Sequence, residues 1–149
     1  MNLFFIGPPG LGKTFLSACI ARVVADKGFS VVYDTASSIF TKFEDDQFGR
    51  SDNPDVPNEA RQEIKRYMEC DLLILDDLGT EFITKVTVSA LYDLVNTRLM
   101  TNKKTIVSSN LSLNDLDKVY TEQIMSRLEG EYHVLFFEGE DIRKKKNLI

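Results

Sequence analysis

A chain of 149 residues with 43% hydrophobic content can bury one core but leaves too little for two independent domains. Its formal charge of −5 excludes a basic nucleic-acid coat, so any polyanion it binds has to meet a local patch. Arg143-Lys144-Lys145-Lys146 is the one such cluster in the sequence.

In chain order, the first strand candidate is Leu3–Ile6. The opening "MNLFFIG" has neither a basic leader nor the apolar length of a signal peptide, and nothing later approaches the roughly 20 apolar residues that cross a bilayer. The strand runs into Gly7-Pro8-Pro9-Gly10-Leu11-Gly12-Lys13-Thr14, which has the spacing G-x-x-x-x-G-K-[ST]. Its glycines let backbone N–H groups turn toward phosphate oxygens, Lys13 brings a cation to the β- and γ-phosphates, and Thr14 offers a hydroxyl to Mg²⁺. This loop, with Phe15 after it, is the expected contact set for ATP. Phe15, Leu16, Cys19, Ile20, Val23 and Val24 then recur at helical spacing up to a stop at Gly28, so this helix is expected to lay one face on a sheet.

Ser30–Tyr33 is the second strand candidate. Phe40 and Phe43, with Lys42 between them, have the spacing of core positions on a helix, with a stacking surface for single-stranded DNA as the lesser alternative. "FEDDQFGRSDNPDVPNEA" is rich in Asp, Asn, Pro and Gly and reads as a mobile surface excursion between two helices. Leu72–Leu75 is apolar throughout, as in a strand buried on both faces, and it delivers Asp76 and Asp77 to its carboxyl end, where open α/β sheets bind ligands. Because neighbouring strand residues point oppositely, Asp76 is assigned to Mg²⁺, through a water, and Asp77 to orienting an attacking water, with Glu81 next in line for that role.

Val88, Leu91, Val95 and Leu99 mark a further helix, and Thr105–Ser108 the fourth strand. Asn110 closes that strand at the same sheet edge as Asp76, where an amide can position a water near the γ-phosphate. A short helix after Thr121 carries Arg127 at the edge of an apolar face made by Ile124, Met125 and Leu128, with a stop expected at Gly130. His133 reads as a strand residue, Val134–Phe137 is the fifth strand, and Arg143 follows it. Cys19 and Cys70, in or beside apolar segments, suit the reduced thiols of a cytoplasmic protein. The alternation of strands with amphipathic stretches predicts an α/β fold with a five-stranded, mainly parallel sheet. A phosphate loop and an acidic strand end still leave kinases, GTPases and motor ATPases open.

GPPGLGKT, LLILDDLG, SSN, IMSRL and DIR, in this order and at these intervals, resemble the AAA+ ATPase domain of the DnaC/DnaI-type bacterial helicase loaders, with the related IstB transposition helpers close behind. The resemblance covers essentially the whole chain. It implies a P-loop AAA+ three-layer sandwich without a helical lid, filling residues 1–149 as a single ATPase core. It implies that Lys13 and Thr14 belong to Walker A, Asp76 and Asp77 to Walker B, and Asn110 to sensor 1. Arg127 matches the arginine finger that reaches into a neighbouring subunit's site, and Arg143 the terminal sensor 2-like arginine at the nucleotide. Many AAA+ proteins carry Asp-Glu where this chain has Asp76-Asp77. Family members also carry an N-terminal region that grips the replicative helicase, where only Met1 and Asn2 precede the first strand here, so the chain reads as an excerpt or a minimal ATPase core. The function implied is an ATPase, slow and dependent on oligomer or DNA, that forms nucleotide-dependent homo-oligomers on single-stranded DNA and helps place a replicative helicase. A transposition helper is the near alternative; a small-molecule kinase and a non-hydrolysing binding module are the rivals from other classes.

Overall fold

Short apolar runs become strands in a computed structural model of the chain, which describes residues 1–48 and 59–139. They are β1 (Leu3–Ile6), β2 (Val31–Thr35), β3 (Leu72–Asp76), β4 (Lys104–Ser109) and β5 (His133–Phe136). Between them run α1 (Lys13–Asp26), α2 (Ala36–Phe48), α3 (Glu59–Glu69), α4 (Lys85–Met100), α5 (Leu113–Val119) and α6 (Glu122–Glu131). Thr84, Ser112 and Thr121 open α4, α5 and α6, each hydroxyl accepting the backbone N–H three residues on, which satisfies a donor that the first turn leaves unpaired.

The sheet has the order β2-β3-β4-β1-β5, and every described pairing is parallel, so the sheet expected to be mainly parallel is wholly so among the described residues. Strand alternation divides its side chains between two layers. Phe5, Leu72, Ile74 and Ile106 face α1, which reaches them with Ile20, Ala21 and Val24. Phe4, Ile6, Val32, Leu73, Leu75 and Val107 face the opposite layer, built from α2 to α6. This is the α/β three-layer arrangement that the motifs led to, and β3 is buried from Leu72 to Leu75 on both faces.

Several boundaries differ from the sequence reading. β2 runs on to Thr35 because its register with β3 continues to the pair Thr35 and Asp76. β5 begins one residue early, since the His133 N–H donates to the Asn2 carbonyl at 2.8 Å and sets the register with β1, while Phe137 leaves the strand to meet Phe5 edge to face. The polar segment after Phe43, expected to be a surface excursion, is helical as far as Phe48 and again from Glu59, and residues 49–58 between them lie outside those described. α6 continues through Gly130 to Glu131. α1 leaves Phe15, Leu16, Cys19 and Val23 exposed, because it is the only described helix on its face and meets the sheet along the narrower stripe of Ile20, Ala21 and Val24. Phe40 is 2% exposed and Phe43 packs on the same core, so the stacking surface for single-stranded DNA is not offered by these rings: their helical spacing points them inward. No helix among the described residues is long and apolar enough to cross a membrane. Arg143 and the basic run after it lie outside the described residues.

Candidate functional site

The carboxyl ends of β1, β3 and β4 meet at one edge of the sheet, and β4 lies between the other two. A cleft of about 590 Å³ opens there. Pro9, Gly10, Gly12, Lys13, Thr14 and Phe15 line it from the loop and the head of α1, Thr35 from β2, Asp76 and Asp77 from β3, and Ser108 and Asn110 from β4. Gly10 and Gly12 hold φ of 82° and 95°, left-handed values that a side chain would strain. α1 starts at Gly12 with no capping side chain and no acidic residue in its first turn. Its first N–H groups and the positive end of its dipole are therefore left for an anion, which fits a nucleotide phosphate.

Gly7, Pro8 and Leu11 do not line the cleft; they build the loop behind it. The Gly7 N–H donates to the Ser109 carbonyl at 3.2 Å, and a Cβ on Gly7 would sit 2.4 Å from the Phe137 carbonyl oxygen, so the loop is pressed against the end of β5. Lys13 curls into the loop, its Nζ donating to the carbonyls of Gly7 at 2.5 Å and Pro8 at 2.7 Å. Burial pushes its pKa down, while the carboxylates of Asp76 and Asp77 pull the other way.

Asp76 keeps the strand alternation, on the side of Ile74 that faces α1. Its Oδ2 accepts the hydroxyls of Thr14 at 3.2 Å and Tyr33 at 2.9 Å, and its Oδ1 accepts the Ser108 hydroxyl. Burial, and then Asp76, push the Tyr33 phenol up to about 12. Asp77 breaks the alternation: its φ is 63°, so a left-handed turn aims it, and not the strand pleat from which its direction was expected. Its Oδ1 accepts the Asn110 amide at 3.1 Å, and its own N–H donates to the Ser108 hydroxyl at 3.2 Å. Glu81 does not reach the cleft; it accepts the Gly79 N–H at 2.7 Å and the Tyr120 hydroxyl.

The hydroxyls of Tyr33, Thr35 and Ser108 were not legible as site groups. Only the β2–β3 register, which pairs Thr35 with Asp76, and the position of β4 beside β3 bring Tyr33 and Ser108 to the carboxylate and Thr35 to the cleft wall. Among the described residues no group of three His, Cys, Asp or Glu side chains forms a cation cage. The donor set is instead one carboxylate and one hydroxyl, Asp76 and Thr14, hard oxygens that suit Mg²⁺ completed by water and phosphate. Arg127 does not line this cleft; its guanidinium lies 5.9 Å from the Tyr92 ring centroid on α4.

A family model described as IstB-like ATP binding protein matches residues 1–148. An insertion-sequence ATP-binding protein of Mycobacterium tuberculosis is 28% identical over 145 residues, which cover 94% of this chain and 55% of that protein. The replicative helicase loader DnaC of Escherichia coli is 25% identical over 127 residues, 85% of this chain and 49% of the loader. The chain thus spans about half the length of the curated relatives it matches. The AMPPCP-bound DnaA of Aquifex aeolicus has the same AAA+ fold, with a TM-score of 0.78 at 24% identity over 97% of this chain and 44% of that one.

Proposed function

The chain belongs to the IstB-like ATP binding protein family, and from that premise we propose that its cleft binds Mg-ATP and hydrolyses it, as the single AAA+ core, residues 1–149, of a DNA-assembly factor. Lys13 and the uncapped head of α1 hold the phosphates, and Thr14 and Asp76 hold the cation, whose charge offsets that of the phosphates. The observation that carries hydrolysis, and not binding alone, is the Asn110 amide on Asp77 at 3.1 Å, at the cleft wall facing Lys13 and Thr14. That pair is built to hold a water in line with a terminal phosphate: the amide fixes the carboxylate, and the carboxylate accepts the water's proton.

The hydrolysis drives nucleotide-switched assembly of copies of this chain on single-stranded DNA, with ATP making a contact between copies and its loss breaking it. Arg127 of one copy and Arg143 within the chain complete the site in this reading. Placement of a replicative helicase is supported by the DnaC relative. A second reading, in which the same switch serves transposition, is favoured by the insertion-sequence relative that covers 94% of the chain. The test follows the γ-phosphate of ATP with and without single-stranded DNA. Phosphate release stimulated by DNA is expected, and Asp77→Asn should keep nucleotide affinity while losing at least about 10²-fold in rate. Transfer of the phosphoryl to a small acceptor, or no turnover at all, overturns the proposal. Adding a replicative helicase in one series and a transposase–DNA complex in another, and asking which one changes the rate, separates the two downstream readings.

A further inference from the structure

Tyr33 belongs to neither the glycine loop nor the acidic strand end, yet its hydroxyl shares with Thr14 one oxygen of the carboxylate assigned to the cation. It donates to Asp76 Oδ2 at 2.9 Å, the oxygen that also takes the Thr14 hydroxyl at 3.2 Å. Register explains the arrangement. Tyr33 stands opposite Ile74, and Thr35 opposite Asp76, so the phenol runs along the α1 face of the sheet toward the head of α1. Tyr33 is 38% exposed, so packing does not lock it there. A carboxylate oxygen offers two lone pairs, and on Asp76 Oδ2 Thr14 and Tyr33 take both, while Ser108 holds Oδ1.

We propose that Tyr33 competes with the divalent cation: its hydroxyl occupies Asp76 Oδ2 alongside Thr14 and has to give up that oxygen when a cation binds. The proposal rests on the Mg-ATP reading above and adds to it a residue that sets how much Mg²⁺ the site demands. A phenol that leaves a carboxylate for water changes its near-ultraviolet absorption, and the chain has five tyrosines and no tryptophan to mask the change.

Tyr33→Phe keeps the ring and removes the competing hydroxyl. With a fluorescent ADP analogue, the Mg²⁺ concentration giving half-maximal tightening should fall about three- to ten-fold, the modest worth of a hydroxyl-to-carboxylate bond for which water competes, while affinity in EDTA stays unchanged. In the unaltered protein, Mg²⁺ added to the ADP-bound form should produce a tyrosine difference spectrum that Tyr33→Phe lacks. An equal or higher Mg²⁺ midpoint in the variant overturns the proposal, and so does an identical spectral change in both proteins. If the variant does not fold, the unaltered protein decides, since the absence of any spectral change on adding Mg²⁺ is equally fatal. Failure of both proteins to bind the nucleotide at any Mg²⁺ concentration removes the Mg-ATP reading, and this proposal with it.

Discussion

At Glu81 the carboxylate accepts the Gly79 N–H at 2.7 Å and the Tyr120 hydroxyl, which fastens the turn after Asp77 to the end of α5. Withdrawal from water pushes its pKa above the usual 4.5, with the Asp77 charge adding to the rise and backbone N–H donors opposing it. For a raised acid the linkage has a definite sign. The neutral form is favoured on folding, so the contribution is fully present below the unfolded pKa of 4.5 and is lost as pH rises through the folded one. Glu81→Gln has no such titration. Denaturant midpoints measured from about pH 4 to pH 7 should therefore show the parent losing ground to the variant as pH rises. A difference that stays constant across that window would mean that Glu81 titrates as it does in water. The same contacts keep Glu81 out of the cleft that Asp77 lines, so of the two only Asp77 suits the water-orienting role proposed above.

Among the elements, α4 does more than cover the sheet. Arg98, fully buried and in no ion pair among the described residues, donates through Nη1 to the carbonyls of Tyr67 at 2.8 Å, Met68 at 3.2 Å and Cys70 at 2.8 Å, through Nη2 to Lys104 at 2.6 Å, and through Nε to the Thr105 hydroxyl at 2.9 Å. Burial lowers its pKa, but a guanidinium starts high enough to stay charged. The fork thus satisfies the last carbonyls of α3, the turn into β3 and the start of β4, which holds β3 and β4 at the spacing that brings Asp76 beside Ser108. Arg98→Met keeps much of the apolar stem but leaves those carbonyls buried without donors. At about 1–3 kcal/mol for each stranded group, with partial relaxation, a loss of about 3–5 kcal/mol in denaturant unfolding is expected. Arg98→Lys should recover only a part, since one ammonium cannot span the fork. A loss under about 1 kcal/mol would show that water replaces the guanidinium at no cost. Gly79 is a second such joint: at φ of 101° it passes so close to Leu111 that a Cβ would lie 2.5 Å from the side chain.

For the whole molecule, the decisive residue is Arg127, because its packing on Tyr92 and the intermolecular role proposed for it give opposite outcomes. Over the Tyr92 ring at 5.9 Å it contributes about 0.5–1 kcal/mol as a cation–π contact. Supplied to a neighbouring copy's phosphates, the same guanidinium is worth about 10³–10⁵ in rate. Arg127→Ala should therefore cost little in melting temperature and nucleotide affinity, yet remove the ATPase activity that appears when copies are concentrated or crowded on DNA. Mixing with Asp77→Asn, which retains the arginine, should restore turnover in the Arg127→Ala sites. If the mixture stays inactive although both variants assemble, or if Arg127→Ala alone is fully active, Arg127 is a packing group on Tyr92.

What the chain declared by itself is what the backbone of a short segment demands. Glycines at Gly10 and Gly12 permit the left-handed angles that a phosphate loop needs, an all-apolar Leu72–Leu75 has to be buried on both faces, and Val88, Leu91, Val95 and Leu99 turn one side of a helix inward. Those local constraints were enough for the α/β class and for bringing the glycine loop, Asp76, Asp77 and Asn110 to one cleft. Tertiary structure alone decided which strands are neighbours and in what register, because parallel pairing is settled by contacts between residues far apart in sequence. The β2–β3 register delivered Tyr33 and Thr35 to Asp76, the place of β4 delivered Ser108, and the packing of α2 turned Phe40 and Phe43 away from solvent. Asp77 shows the same division within one residue: its identity announced a site, but only the left-handed turn beside Ser108, held by long-range hydrogen bonds, set where its carboxylate points.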